Sequence, residues 1–195
     1  MAITRLTEST LQQAFPKFPS AWDGLSSVPT FEPINTVKLK SSASSVTFSS
    51  IPSTYSHLQI RGTVKSNTTG AGDLSIRFNG DSGTNYARHT IQANGSTATA
   101  PNAGISQTSI RIADNFLPPT SEGNIFGVFI LDILDYADIN KLTTVKNIYG
   151  SDRNGSGLFG MHSGFWNNTN AINSIEIIGE TSFNIFSSIS LYGIK

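Results

Sequence analysis

The sequence predicts an all-β protein, an antiparallel jelly-roll-like β-sandwich with an extended N-terminal arm. From Ser44 onward, short runs in which apolar and polar residues alternate are separated by residues typical of turns, and no run has the period of an amphipathic helix. About eight to ten such strands without helices between them exclude a parallel βαβ architecture. The 195 residues provide enough chain for one domain of full size.

Residues 1–43 are predicted to form the arm, and residues 44–195 the sandwich. Four prolines in the first segment preclude a long helix or a central strand there. The alternative is a disordered leader, but such leaders are poor in aromatic residues. We therefore expect the arm to bind a neighbouring protein surface through its large apolar side chains. These predicted anchors are Leu11, Phe15, Phe18, Trp22, Leu25 and Phe31.

The first strands of the sandwich are predicted from alternation. Residues 58–64 and 74–78 alternate between apolar and polar side chains, which is typical of half-buried strands with one wet face. Residues 79–83 form a turn cluster of Asn, Gly, Asp and Ser. This turn is predicted to join the second run to a strand over residues 86–91 as a hairpin.

The second half of the sandwich follows a loop predicted over residues 92–104. The run 125–133 is apolar on both faces apart from Gly127 and Asp132, so we expect a strand that is central or covered by the arm. The final run, residues 187–195, is predicted to close a sheet and not to tolerate truncation.

Composition argues against several partners. Thirteen basic residues balance thirteen acidic ones without a basic cluster, so we expect no binding to nucleic acid. No segment approaches the ~20 apolar residues of a membrane span, and the first residues do not resemble a secretory signal. The absence of cysteine excludes a thiolate metal site and a cysteine nucleophile.

The acidic residues Asp132, Asp135 and Asp138 are the best candidates for chemistry. Three carboxylates within seven residues are able to bind calcium or to supply the acid and base of a glycosidase. The alternative, which we favour, is that they cap a strand exit and bind turn amides, because the ligand spacing of an EF-hand is missing.

Other candidate sites are weaker. Asp73, Asn79 and Asp81 have the chemistry of cation ligands, but a turn explains them fully. The three histidines lie on different segments without the spacing of metal ligands. No nucleophile elbow and no phosphate-binding loop occurs. We predict no catalytic residue, no metal site and no cofactor, and therefore not an enzyme.

One segment has the composition of a sugar-binding platform. Phe165 and Trp166 precede Asn167, and aromatic rings stack on sugars while amides bind hydroxyl groups. The alternative, which we favour, is a core or oligomer contact, since alternation places Phe159, Met161 and Phe165 on one face of a strand.

Two segments carry a resemblance to a known family. Residues 78–86, Phe-Asn-Gly-Asp-Ser-Gly-Thr-Asn-Tyr, and the C-terminal run Ser-Ile-Ser-Leu-Tyr-Gly-Ile resemble those of tailed-bacteriophage virion structural proteins with jelly-roll domains. The resemblance covers most of the chain from about Ser44 onward. It favours a jelly roll over an immunoglobulin-like sandwich, two folds between which alternation does not decide.

The resemblance implies a function. It implies a non-enzymatic capsid decoration or cement protein, assembled into the virion in the host cytoplasm, that binds the major capsid protein or another virion protein and forms a homotrimer. One alternative is a tail or fibre protein that contacts the host surface, although the chain has no repeats or heptads for a shaft. A second alternative is a carbohydrate-binding β-sandwich module.

Overall fold

A computed structural model describes residues 31–100, 104–153 and 156–195 of the chain. These residues form thirteen β-strands and one short 3₁₀ turn at Thr120–Glu122. The strands are β1 (Phe31–Lys38), β2 (Ala43–Phe48), β3 (His57–Val64), β4 (Gly72–Phe78), β5 (Tyr86–Ala93), β6 (Ala98–Thr99), β7 (Gly104–Gln107), β8 (Ile110–Leu117), β9 (Gly127–Leu134), β10 (Thr143–Asp152), β11 (Gly157–Trp166), β12 (Ile175–Phe183) and β13 (Ser188–Ile194).

The strands pair into two antiparallel sheets. The larger sheet has the order β1-β13-β3-β9-β10-β11-β5-β6, with β7 also paired to β5, and the smaller sheet has the order β2-β12-β4-β8. The two sheets pack against each other through one hydrophobic core. The prediction of an all-β antiparallel sandwich is therefore confirmed, while the jelly-roll topology stays a prediction.

The core forms because each strand turns every second side chain inward. In β4, for example, Leu74, Ile76 and Phe78 are fully buried while the residues between them are not. The larger sheet supplies the facing layer, with Leu58, Ile60, Leu131, Ile133 and Leu191.

The first described strand belongs to the sheet, although its residues were assigned to the arm in the sequence-based division. β1 lies at the edge of the larger sheet and pairs with β13. An edge strand accommodates Pro33, and the register shifts immediately after it, between Pro33 and Asn35. Side chains reinforce this edge, because Tyr55 donates a hydrogen bond to Glu32 (3.0 Å) and Lys195 forms an ion pair with Glu32 (2.8 Å).

The C-terminal strand β13 is held on both sides. It lies between β1 and β3, and Leu191 is fully buried. Tyr192 points to the opposite face and stacks on Phe31 with ring centroids 4.6 Å apart. At Gly193 a Cβ atom would lie 2.4 Å from the ring of Tyr55, so this position needs glycine. The Leu-Tyr-Gly sequence is thus explained by packing.

The strand β9 is central, as predicted, because β3 and β10 flank it. The alternative, cover by the arm, concerns residues 1–30, which lie outside the described residues. Only one of its faces is buried among the described residues, however, since Val128, Ile130 and Leu134 remain exposed. The apolar residues on its second face therefore form a surface rather than a second core layer.

We predict that Leu191→Ala destabilises the protein by about 2 to 5 kcal/mol, because it removes a fully buried side chain from the core. Urea unfolding followed by circular dichroism measures the change. The neighbouring Ser190→Ala variant is the control, since Ser190 lies on the solvent side of β13, and we expect a change within about 0.5 kcal/mol. Equal effects of the two substitutions would mean that the inward and outward residues of β13 are assigned wrongly.

Candidate functional site

The candidate site is the outer face of the larger sheet, meaning the side that points away from the smaller sheet. On this face four adjacent strands, β9, β10, β11 and β5, present large apolar side chains that are between 39% and 55% exposed. We call this surface the apolar patch. Its residues are Val128, Ile130, Ile148, Phe159, Met161 and Ile91.

The strand register makes one unbroken row within the patch. Ile130 lies opposite Ile148, Ile148 opposite Met161, and Met161 opposite Ile91. Directly opposed residues of antiparallel strands have Cβ atoms about 4.5 to 5.5 Å apart, so these four side chains form a continuous strip. Isolated apolar residues are common on protein surfaces, whereas contiguous patches mark sites of interaction.

A second row of the patch contains a groove. Val128 lies opposite Gly150, and Gly150 opposite Phe159. Because Gly150 has no side chain, the surface is depressed between its two neighbours, and the groove there has a volume of about 880 Å³. Phe126 and Leu158 complete its apolar walls. The groove is wide enough for an aromatic side chain.

A polar row borders the patch on its other side. The side-chain amide of Gln59 donates a hydrogen bond to Asp132 (2.7 Å), and Lys146 lies 3.7 Å from the same carboxylate. Gln59, Asp132 and Lys146 are successive cross-strand partners on β3, β9 and β10. The charges of Asp132 and Lys146 neutralise each other, so the patch has an uncharged centre and a satisfied polar border.

The outer face of the smaller sheet is different. Its strands turn polar and charged side chains to solvent, among them an ion pair between Arg77 and Glu176 (4.0 Å). Among the described strands, the contiguous apolar surface therefore lies on the outer face of the larger sheet, while single residues such as Ile139 and Phe186 are exposed in loops. The residues on the polar side include Ser45, Thr47, Asp73, Ser75, Arg77 and Glu176.

The outer face is also where the described chain begins. Phe31 is 42% exposed; its ring stacks on Tyr192 at 4.6 Å, and the guanidinium of Arg61 lies 4.7 Å from the Phe31 ring and 5.6 Å from the Tyr192 ring. Arg61 is exposed and lies directly opposite Ile130, so this group marks the corner of the outer face. The other five predicted anchors, Leu11, Phe15, Phe18, Trp22 and Leu25, lie outside the described residues.

The predicted sugar platform of Phe165, Trp166 and Asn167 is wrong in its second member. Trp166 is only 1% exposed; it packs on Phe78 with ring centroids 5.7 Å apart and donates a hydrogen bond to Asp81 (2.7 Å). Phe165 points to the outer face instead, because successive residues of a strand point to opposite sides. Asn167 is exposed beyond the strand end. The two rings cannot contact one sugar together.

The Asn-Gly-Asp-Ser-Gly segment is a turn, as favoured from the sequence, but the predicted hairpin is wrong, because β4 belongs to the smaller sheet and β5 to the larger one. Asn79 and Gly80 have positive φ angles of 51° and 69°. The Asp81 carboxylate accepts hydrogen bonds from Trp166, Asn85 (2.9 Å) and the Gly83 amide (2.8 Å), and the first two lower its pKa. With its oxygens occupied by donors, Asp81 has the environment of a turn-forming residue.

The three carboxylates Asp132, Asp135 and Asp138, at the end of β9 and just after it, do not share one site. Asp132 binds Gln59 on the sheet, whereas Asp135 and Asp138 lie beside Lys141, at 2.9 and 3.4 Å. Asp138 also accepts a hydrogen bond from the Asn140 amide (2.8 Å). This geometry agrees with the favoured interpretation of a strand exit stabilised by turn contacts.

Sequence inspection missed a buried polar cluster between the sheets. The His162 side chain has no exposed surface; its Nδ1 donates to the Arg111 carbonyl (2.8 Å), and its Nε2 lies 3.4 Å from Asp114 and 3.3 Å from Tyr149 Oη. Arg88 and Arg111 each bind Asp114 at 3.0 Å. The cluster resembles the carboxylate and imidazole of an acid-base pair, but a fully buried His162 cannot meet a substrate.

Burial sets the protonation of this cluster. It lowers the pKa of His162, although the Arg111 carbonyl and the Asp114 charge act in the opposite direction. It also raises the pKa of Tyr149 to about 12. His162 is therefore a neutral core residue. No signal in the sequence distinguished it from the other two histidines, since burial depends on the packing of β8 against β11.

Within the described ranges, no three His, Asp or Glu side chains are placed to share a metal ion. The same ranges contain no helix of the length and apolarity that a membrane crossing requires. No protein family, curated protein or solved structure matches the chain.

We predict that the contribution of His162 makes the free energy of unfolding decrease as the pH falls below about 6.5. Above that pH, the contribution of His162 is constant. The unfolded chain binds a proton at His162 near its ordinary pKa of 6.5, while the folded state resists it, so protonation favours unfolding. Urea unfolding at several pH values between 7.5 and 5.5 measures this slope.

His162→Gln is the matched variant for that measurement. We expect it to be less stable than the natural protein at pH 7.5, since it changes a buried hydrogen-bonded residue, but to lose most of the slope. Asp73, whose pKa burial raises, acts in the opposite sense closer to pH 4 and stays unchanged in both proteins. An identical slope in both proteins would show that His162 is not the titrating group.

Proposed function

We propose that this protein is a non-enzymatic virion structural protein, a capsid decoration or cement protein that binds the coat lattice through its N-terminal arm and stabilises the head. The observation that carries the proposal is the apolar patch on an exposed sheet face. The corner of this face is formed by Phe31, where the chain enters the sheet. Contiguous exposed apolar surface rimmed by polar groups is typical of protein-binding surfaces.

The chemistry of the patch favours a protein partner. Its centre has no charged residue, so it offers neither a phosphate nor a carboxylate a counter-ion. The bordering charges of Asp132 and Lys146 are already paired with each other. A flat apolar area with a satisfied rim suits another protein subunit better than a small polar ligand.

The two alternatives differ in their support. A tail or fibre protein would use the same arm and patch, so only the identity of the bound particle part separates it from a cement protein. A carbohydrate-binding module loses its main support, because Trp166 is buried and only Phe165 of the predicted ring pair is exposed. The tail or fibre function is therefore the second candidate.

The test is co-sedimentation of the full chain with purified phage head shells and, separately, with tails. We expect the natural protein to sediment with shells, and the variant with Phe15, Phe18 and Trp22 changed to Ser to bind at least about 10-fold more weakly, since aromatic anchors dominate binding energies. The control changes Gln12, Gln13 and Lys17 to Ser in the same segment. It is expected to bind like the natural protein.

The other outcomes are equally informative. Unchanged binding by the aromatic variant would refute attachment through the arm. Binding to tails but not to shells would replace the cement function by the tail or fibre function. No binding to either part would reject a virion role for the chain.

A further inference from the structure

We propose that the apolar patch is the docking site for residues 11–25 of a second copy of this chain, so that subunits are joined by exchange of their N-terminal arms. This inference rests on the proposed function and names the partner of the outer face. It is carried by three features of the described residues: the corner at which the chain enters the sheet, the position of the groove relative to that corner, and the chemistry of the patch.

The first feature is the direction of entry. Phe31 is the partner of Ile194, at the end of the sheet where β3 begins. From there β1 runs toward Lys38, so the chain enters the larger sheet at the Ile194 end.

The second feature is distance. The groove row of Val128, Gly150 and Phe159 is at the opposite end of the strands, because Val128 pairs with Thr63, and Thr63 with Ser188, the partner of Lys38. Seven residues along a strand and four strands across place Gly150 about 30 Å from Phe31. A fully extended chain from Phe31 back to Trp22 spans only about 30 Å.

To place its own Trp22 in this groove, the arm would therefore have to reverse direction and remain fully stretched between Phe31 and Trp22. It would also cross the outer side of β13 and β3, which is polar. Neither requirement applies to the arm of a neighbouring subunit. The polar residues on that crossing path are Ser188, Ser190, Arg61 and Thr63.

The third feature is chemical fit. The patch is uncharged and the groove beside Gly150 is walled by Val128, Phe159, Phe126 and Leu158. Residues 11–25 contain three aromatic rings and two leucines, which match the apolar walls of the groove. An arm that binds the face of the next subunit makes a heterologous contact, which closes into a ring when the rotation between subunits closes and otherwise forms an open filament. Arm exchange thus provides a route to the homotrimer that the resemblance implies.

The first test is the oligomeric state of the full chain by sedimentation equilibrium. Gly150→Ile fills the groove, and a Cβ at this position would make only ordinary contacts, the nearest at 3.7 Å. Ile148→Lys places a charge in the centre of the patch. We expect the natural protein to be oligomeric and both variants to dissociate at concentrations at least 10-fold higher, with unchanged circular dichroism.

The matched control is Thr47→Lys, the same new residue on the outer face of the smaller sheet, where it lies opposite Glu176. It is expected to keep the natural oligomer. A natural protein that is monomeric at all concentrations, or folded Gly150→Ile protein with unaltered association, would overturn the proposal.

The second test identifies the occupant. The chain has no cysteine, so Trp22→Cys and Ile148→Cys introduce single thiols in two separate proteins, one of them enlarged by a tag. The two proteins are mixed and mildly oxidised. We expect the yield of the mixed disulfide between Trp22→Cys and Ile148→Cys proteins to exceed the yield of a disulfide between two copies of either protein. Absence of this mixed dimer from an oligomeric mixture would overturn the proposal.

A chain that carries both Trp22→Cys and Ile148→Cys tests whether the arm binds its own sheet. If it forms only an intrachain disulfide at high dilution and in the presence of excess cysteine-free protein, the arm binds its own sheet and a second copy is not the occupant. Co-sedimentation with head shells separates this inference from the proposed function. A monomer that binds shells refutes arm exchange alone, whereas an arm-exchanged oligomer that binds no shell or tail refutes the virion function alone.

Discussion

The alternation of side chains along each strand is the constraint on which the core and the candidate site both depend. In the larger sheet it directs Leu58, Leu131 and Leu191 toward the smaller sheet. The same alternation directs Ile130, Ile148 and Met161 to the opposite side. A strand with apolar residues at every position therefore fills a core on one face and necessarily creates an apolar surface on the other.

The interior shows how polar groups are accommodated under this constraint. Asn147, His162 and Thr90 are consecutive inward-facing partners on β10, β11 and β5, and they meet the backbone carbonyls and carboxylate of β8. Buried polar groups are tolerated when hydrogen-bonded, because an unmade bond costs more than a made one contributes. The cluster with the chemistry of an active site is therefore part of the packing between the sheets, and the accessible surface is apolar.

The two segments that carry the resemblance to phage structural proteins have structural roles. The turn after Phe78 is held by Asn79, whose side chain binds the backbone at Ala171, Asn173 and Ser174. The terminal Leu-Tyr-Gly sequence places one side chain in the core, one on the outer face, and a glycine beneath Tyr55. Such motifs indicate how the sandwich is assembled, and the function must be argued from its exposed surface.

The sequence by itself determined strands such as β3 and β4 and their inward residues, since the two-residue period and turn residues are local properties. It also determined that Asn79 to Gly83 is a turn, because few residues accept positive φ angles. It did not determine that β1 joins the sheet or that Trp166 is buried while Phe165 is exposed. Nor did it determine that only one face of β9 is buried among the described residues. Those outcomes depend on which strands become neighbours. Only tertiary structure aligned Ile130, Ile148, Met161 and Ile91 into one strip, because cross-strand register joins residues that are distant in the chain.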